Sequence, residues 1–262
     1  MPTKRGPAYT VGFAAAVCVV CAILVSVSAV TLRDRQEDNK RLDGKRNVLL
    51  AAGLIESDAD PDRETIEAIF DEAVEPIVID RESGLVVEDV DAAGFDQRRA
   101  ASDAEQSREA PVNPAKVARL PHRLLVYRVS REGRLEQVVL PVSGAGLWST
   151  LHGYLALGVD GSTVRGLAFY EHGETPGLGG EVDNPKWRGL WPGRRVFDEV
   201  GEIRLEVIKG RAGPVEDDPH RIDGLSGATM TSRGVSELVR FWVGEHGYGA
   251  YLHQLRRRGG RR

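Results

Sequence analysis

The sequence predicts an α+β protein: a single N-terminal transmembrane helix followed by a twisted, mainly antiparallel sheet with packed helices. Three observations predict it. Residues 6–32 (GPAYTVGFAAAVCVVCAILVSVSAVTL) carry no charge, and the run exceeds the roughly 20 residues a helix needs to cross a bilayer. From Leu120 onward, five short runs rich in Val, Leu and Tyr are broken by Gly, Asp or Ser, the pattern of β-strands. Near the C terminus Val235, Leu238, Val239 and Trp242 fall on one helical face.

With 262 residues, a net charge of −4 and 41% hydrophobic residues, the chain can bury one sizeable core. It is not basic enough for a nucleic-acid binder, nor poor enough in apolar residues for disorder. The apolar run has a basic start in Lys4 and Arg5, and Val27-Ser28-Ala29 could serve a signal peptidase. The apolar core of a signal peptide spans only about 7–15 residues, however, so the run reads as an anchor. Arg33, Arg35, Lys40, Arg41, Lys45 and Arg46 come after the span. Their number would hold the downstream chain in the cytoplasm, but long domains translocate largely regardless of nearby charge. Cys18 and Cys21 form a CxxC inside the span. Two thiols are half a closed zinc site, so they read as small packing residues, and no metal site is expected.

After the span, Asp34–Arg46 runs into NVLLAAGL as a helical continuation ending at Gly53. Asp60-Pro61 reads as an N-cap with proline at the first helical position, followed by Ile66, Ile69, Phe70 and Ala73 on one face. PIVID (76–80) and GLVVEDV (84–90) look like a strand pair, and 92–116 like a polar loop. The five later strands are RLLVYRVS (123–130), EQVVLPVSG (136–144), GYLALGVD (153–160), TVRGLAFYEHG (163–173) and IRLEVIKG (203–210). Ser232 is the N-cap expected for the last amphipathic helix, which Gly244 and Gly247 end. Arg256–Arg258 and Arg261–Arg262 read as a solvated end. The expected division is 1–33 (tail and anchor), 34–120 (helices, strands and a polar loop) and 121–262.

Two stretches exceed what loops require. DGLSGATMTS (223–232) concentrates small and hydroxyl-bearing residues before the helix. Gly224-Leu225-Ser226-Gly227-Ala228 resembles a nucleophile elbow with its last glycine replaced, but an elbow needs an acid and then a histidine far downstream. Only residues 227–262 follow Ser226, with His246 and His253 in or just beyond the last helix. A helix cap at Thr231 or Ser232, with Gly227 at positive φ, is the alternative that needs no chemistry. HGETPGLGGEV (172–182) is glycine-rich yet fits neither GxGxxG nor a P-loop, so a nicotinamide or ATP site is not supported. Such a loop lets backbone approach a flat ring closely.

ETPGLGGE (174–181), DGLSGAT (223–229), GAGLWS (144–149) and FWVGEHGYGAYLHQLR (241–256), behind one anchor, resemble the C subunits of the sodium-translocating NADH:quinone oxidoreductases. The resemblance runs from the span to the final helix. It implies an electron-relay subunit of a multi-subunit membrane complex at the bacterial inner membrane, its flavin domain (121–262) on the periplasmic side. It also implies FMN esterified through its phosphate to Thr229 by a flavin transferase. Asp223, Gly224, Ser226, Gly227 and Ala228 would belong to the recognition sequence, and Glu174, Thr175, Gly177, Leu178 and Lys209 would bind the flavin. The G subunits of the Rnf electron-transport complexes share the motif and are the alternative family; a stand-alone membrane-anchored flavin protein is another. GAGLWS, the insertion between 53 and 120 and the C-terminal ending favour the NADH:quinone oxidoreductase family.

Overall fold

The computed structural model describes residues 6–56 and 59–259; Lys4, Arg5, Arg261 and Arg262 lie outside the described residues. The chain divides into two units between Asp43 and Gly44. The first is carried by α1 (Pro7–Ala51), whose segment Pro7–Arg33 is 27 residues long and wholly unburied. At 1.5 Å per residue it is about 40 Å long, beyond the ~30 Å of a hydrocarbon core, which fits a single-pass membrane anchor. Cys18 and Cys21 are free thiols on its exposed surface. The helix ends where Gly53 takes φ 67° and the Leu54 N–H reaches back to the Leu49 carbonyl, a glycine C-cap.

The second unit holds α2 (Arg63–Ala73), β1 (Val74–Asp80), α3 (Gln97–Ser102), β2 (Ser107–Glu109), β3 (Arg119–Pro121), β4 (Arg123–Arg131), β5 (Arg134–Ala145), β6 (Thr150–Gly158) and β7 (Val164–Glu171). A short 3-10 turn (Gly179–Asp183), α4 (Pro185–Arg188), β8 (Glu206–Val207), β9 (Arg221–Ile222), α5 (Thr229–Val243) and α6 (Gly249–Gly259) complete it. The main sheet has the order β1-β4-β5-β6-β7, antiparallel throughout.

Alternation along the strands divides the apolar residues between two faces. Val126, Val138, Leu140, Leu155 and Leu167 join one buried cluster with Val235, Leu238, Val239 and Trp242 of α5. On the opposite face Tyr127 packs edge-on against Phe70 of α2, and Gly166 lets the backbone at Ala51 approach β7. The Gln137 side chain donates to the Ala52 carbonyl at 2.9 Å. The sheet is thus covered on both sides, with α5 fixed to the face beside the β5–β6 turn.

Several expectations are corrected. The N-cap of α2 is Asp62, whose carboxylate accepts the Thr65 N–H, rather than Asp60. Of residues 84–90 only Leu85–Val87 lies antiparallel beside β1, through the bridge of Val86 to Ile79 and hydrogen bonds from the Asp80 N–H to the Leu85 carbonyl and from the Val87 N–H to the Val78 carbonyl, and makes no full strand; the long partner of β1 is β4, across a long connection. The 92–116 segment contains α3 and β2, with Ala100, Ser107 and Ala115 buried. Of 203–210 only Glu206–Val207 is strand, parallel to β9 and outside the main sheet. Arg256 is no free tail: its guanidinium lies 4.5 Å from the Phe197 ring centre. The amphipathic helix expected to be the last, α5, begins at Thr229, not Ser232, and α6 follows it. The Ser232 hydroxyl instead accepts the Leu225 N–H inside the core.

Candidate functional site

The two unusual stretches meet at the N-terminal end of α5. Gly210 accepts the Gly224 N–H at 2.9 Å, and a methyl at Gly224 would run into the Ile208 carbonyl. Only glycine lets the DGLSGAT segment lie this close to the strand before it. Asp223 Oδ1 accepts the Ala212 N–H at 2.8 Å, and its carbonyl accepts the Trp187 indole N–H at 2.8 Å. Gly227 turns the chain at φ 71°, as expected for a positive-φ position. Leu225 and Ala228 are buried, whereas Ser226, Gly227 and Thr229 face solvent.

Thr229 is the first residue of α5. The N-cap, Ala228, offers no capping side chain, and the first turn has no acidic residue. No side chain thus caps the helix end next to the exposed Thr229 hydroxyl.

Opposite lies the glycine-rich loop. Thr175-Pro176-Gly177-Leu178 forms a tight turn: Leu178 donates to the Thr175 carbonyl at 3.1 Å, with Gly177 at φ 75°. Proline followed by positive-φ glycine is the chemistry of a type II turn. Both ends of the loop are pinned by His172, whose Nδ1 accepts the Glu174 N–H at 3.2 Å while Nε2 donates to Asp183 at 2.6 Å. The turn presents Leu178, 44% exposed. Its Cδ2 sits 2.9 Å from where a Gly227 methyl would be, so the two motifs touch at this point.

Glu174 lies elsewhere than its place in the loop implies. Its carboxylate is buried and occupied by protein donors: Oε1 accepts the N–H groups of Trp148 (2.9 Å) and Ser149 (3.2 Å), and Oε2 accepts the Thr231 hydroxyl (2.6 Å). Burial pushes its carboxyl up, but the hydrogen bonds of Thr231, Trp148, Ser149 and Leu147 outweigh it and hold the group below the ordinary glutamate range. The close fit needs glycine at 146 and 179, where a methyl would stand 2.5 and 2.6 Å from the two oxygens. Thr175 and Gly177 are exposed on the loop, and Lys209 is exposed in the bend next to Gly210.

Sequence reasoning missed the buried Thr231 hydroxyl, the clamp glycines Gly146 and Gly179, and Trp148, 72% exposed beside the carboxylate's amide donors. GAGLWS was visible as a motif, but nothing in its composition says that its amides grip a glutamate.

Behind an N-terminal helix that fits a single-pass membrane anchor, the chain carries an FMN-binding domain: residues 146–244 match the protein family described as "FMN-binding domain". More narrowly, the chain belongs to the family of the Na(+)-translocating NADH-quinone reductase C subunits. It is 41% identical to the C subunit from Pseudomonas aeruginosa over 98% of this chain and 99% of the relative. The one from Yersinia pestis is 40% identical over 91% of this chain and 89% of its own length. Among solved structures, Shewanella oneidensis NqrC superposes with a TM-score of 0.77 at 37% identity, covering 84% of this chain and 99% of that one. The C-subunit structure from Parabacteroides distasonis gives a TM-score of 0.65 at 28% identity, covering 84% of this chain and 96% of that one. These relatives bear out the resemblance to the NADH-quinone reductase subunits over that to the Rnf ones.

Proposed function

We propose that this chain is the electron-relay subunit of an NADH:quinone oxidoreductase that pumps sodium ions, and that it carries FMN as a phosphoester on Thr229. The observation that supports the attachment is Thr229 itself, an exposed hydroxyl opening a 15-residue helix that has no side-chain cap. Free N–H groups and the dipole at such a terminus favour the negative charge of a phosphate. Trp148, Leu178 and Met230 are exposed around these segments, leaving apolar surface suited to a flat ring system. The residues present therefore fit the group. FMN bound here supplies reversible one-electron chemistry.

The protein's part is presentation and charge. Gly227 and Ala228 leave room for a transferase to reach the Thr229 hydroxyl, and Asp223, Gly224 and Ser226 complete the sequence we assign to its recognition. Thr175, Gly177 and Leu178 are the loop positions we assign to the ring. Lys209, exposed in the adjoining bend, would attract negative charge that develops on a reduced ring. Glu174 supports that loop from beneath. We assign residues 1–33 to the tail and the anchor in the lipid bilayer, 34–120 to a helical and strand region with a polar loop that supplies the edge strand β1 of the main sheet, and 121–262 to a flavin domain on the periplasmic side. Other subunits of the reductase are its partners.

Co-expression with and without a flavin transferase tests the reading. A denaturing gel should show a flavin-fluorescent band at this chain's mass only with the transferase. A dark band in its presence contradicts it.

A further inference from the structure

The chain has two hydroxyl residues on the first turn of α5 beyond Thr229, and neither faces solvent. Thr231 is wholly buried, and its hydroxyl donates to Glu174 Oε2 at 2.6 Å. The same carboxylate takes the amides of Trp148 and Ser149 through Oε1. Three segments distant in sequence, the β5–β6 turn, the glycine-rich loop and the first turn of α5, thus converge on one buried anion. Gly179 lies against the contact so closely that a methyl there would stand 2.6 Å from both Glu174 Oε2 and Thr231 Oγ1. A second link runs beside it, from the Gly173 N–H to the Ser149 hydroxyl at 2.6 Å.

We infer that Thr231 is a positioning residue of the flavin site, its hydroxyl locking the Glu174 carboxylate in the rotamer that fixes Trp148 and Leu178 relative to Thr229. The physical warrant is the cost of the alternative. A buried carboxylate that loses a donor keeps its desolvation penalty, so it turns or draws water, and either releases the amides it holds. Thr231 touches neither the attachment oxygen nor solvent, and its effect reaches the flavin only through Glu174. The inference rests on the proposed flavin site for its functional meaning; the clamp itself stands on the geometry.

The test uses full-length protein extracted from membranes, comparing wild type, Thr231→Val and Thr231→Ser. Valine keeps the shape and removes the donor; serine keeps the donor. The account expects amide hydrogen exchange at residues 147–149 to accelerate at least about tenfold in the valine variant. Serine should leave it at the wild-type rate, and the β5–β6 core should be unmoved in both. In flavin-loaded protein the visible spectrum and reduction potential should shift with valine and return with serine. Wild-type exchange and potential in the valine variant overturn the inference, as does a serine variant that behaves like valine. If the valine variant does not accumulate, Gly179→Ala strikes the same contact without changing either partner, and must accelerate the same amides. A wild-type protein without flavin would instead sink the flavin site and leave the exchange result to decide the clamp.

Discussion

Thr229 and Thr231 open the same helix, yet Thr229 is exposed while Thr231 is wholly buried with its hydroxyl on Glu174. Residues two apart on a helix point to different sides, so one face of the first turn is offered to solvent and the other is sealed in the core. Ser232 is sealed as well, holding the Leu225 N–H. Of the four hydroxyls between 226 and 232, only those of Ser226 and Thr229 are exposed. Selectivity for Thr229 over its hydroxylated neighbours is in this account a matter of burial as well as of motif.

The recognition role proposed for Asp223 can be separated from folding. Asparagine keeps an oxygen that accepts the Ala212 N–H, so Asp223→Asn should melt within about 0.5 kcal/mol of wild type while losing most of its covalent flavin. Asp223→Ala should lose the flavin and also about 1–2 kcal/mol of stability. Urea melts paired with in-gel flavin fluorescence check both, and a fully flavinylated Asp223→Asn removes the recognition role.

Gly224→Ala should destabilise the domain by about 1–3 kcal/mol, since its methyl collides with the Ile208 carbonyl, a backbone atom held in place by the β8–β9 region. Gly177→Ala, with open space around the added methyl but φ at 75°, should cost about 1 kcal/mol of backbone strain alone. Equal melting midpoints for the two variants would contradict the packing argument.

Glu174 gives a pH dependence with a definite sign. Its folded-state carboxyl is held below the ordinary glutamate value, so its contribution is complete above the unfolded-state pKa and is lost as pH falls through the depressed folded one. Glu174→Gln can keep the contacts, because the Thr231 hydroxyl can turn to accept from the amide, whereas Glu174→Ala strands three donors and should cost about 3 kcal/mol. Urea melts of wild type and Glu174→Gln between about pH 7 and pH 3 should show the wild-type advantage shrinking on acidification. An advantage that grows on acidification would contradict the sign.

What the sequence disclosed depends on which interactions are local. The anchor, strands β4 to β7 and the amphipathic face of α5 were legible because each is written as a period or an uninterrupted run over its own residues. The pairing of β1 with β4 was not, because the partner of 76–80 is chosen by tertiary contact and 84–90 offered an equally apolar neighbour. IRLEVIKG failed as a sheet strand for the same reason: its alternation serves packing under α5, with Val207 donating to the Ser236 hydroxyl. In the site, Gly227 was legible, since a turn before a helix demands positive φ. The direction of Glu174 was not, because a glycine-rich loop leaves the side chain's choice between solvent and core to donors supplied from residues 148, 149 and 231.

The C terminus should lie outside the cytoplasm, although Arg33, Arg35, Lys40, Arg41, Lys45 and Arg46 come after the anchor and argue the other way. A long folded domain overrides such a bias. A periplasm-dependent reporter fused to the C terminus should be active and a cytoplasm-dependent one silent; the reverse would overturn the periplasmic assignment and separate Thr229 from a transferase on that side.

The most direct test of the attachment is peptide mass mapping of protein extracted from membranes, in wild type and Thr229→Val. Trypsin releases Ile222–Arg233, which holds the whole motif from Asp223 onward. The account predicts one FMN phosphoester on this peptide in wild type, fragmenting to Thr229, and none anywhere in the variant, whose melting is unchanged. An unmodified wild-type peptide from cells that contain the transferase, or an adduct that persists in Thr229→Val at Ser226, Thr231 or Ser232, would contradict it.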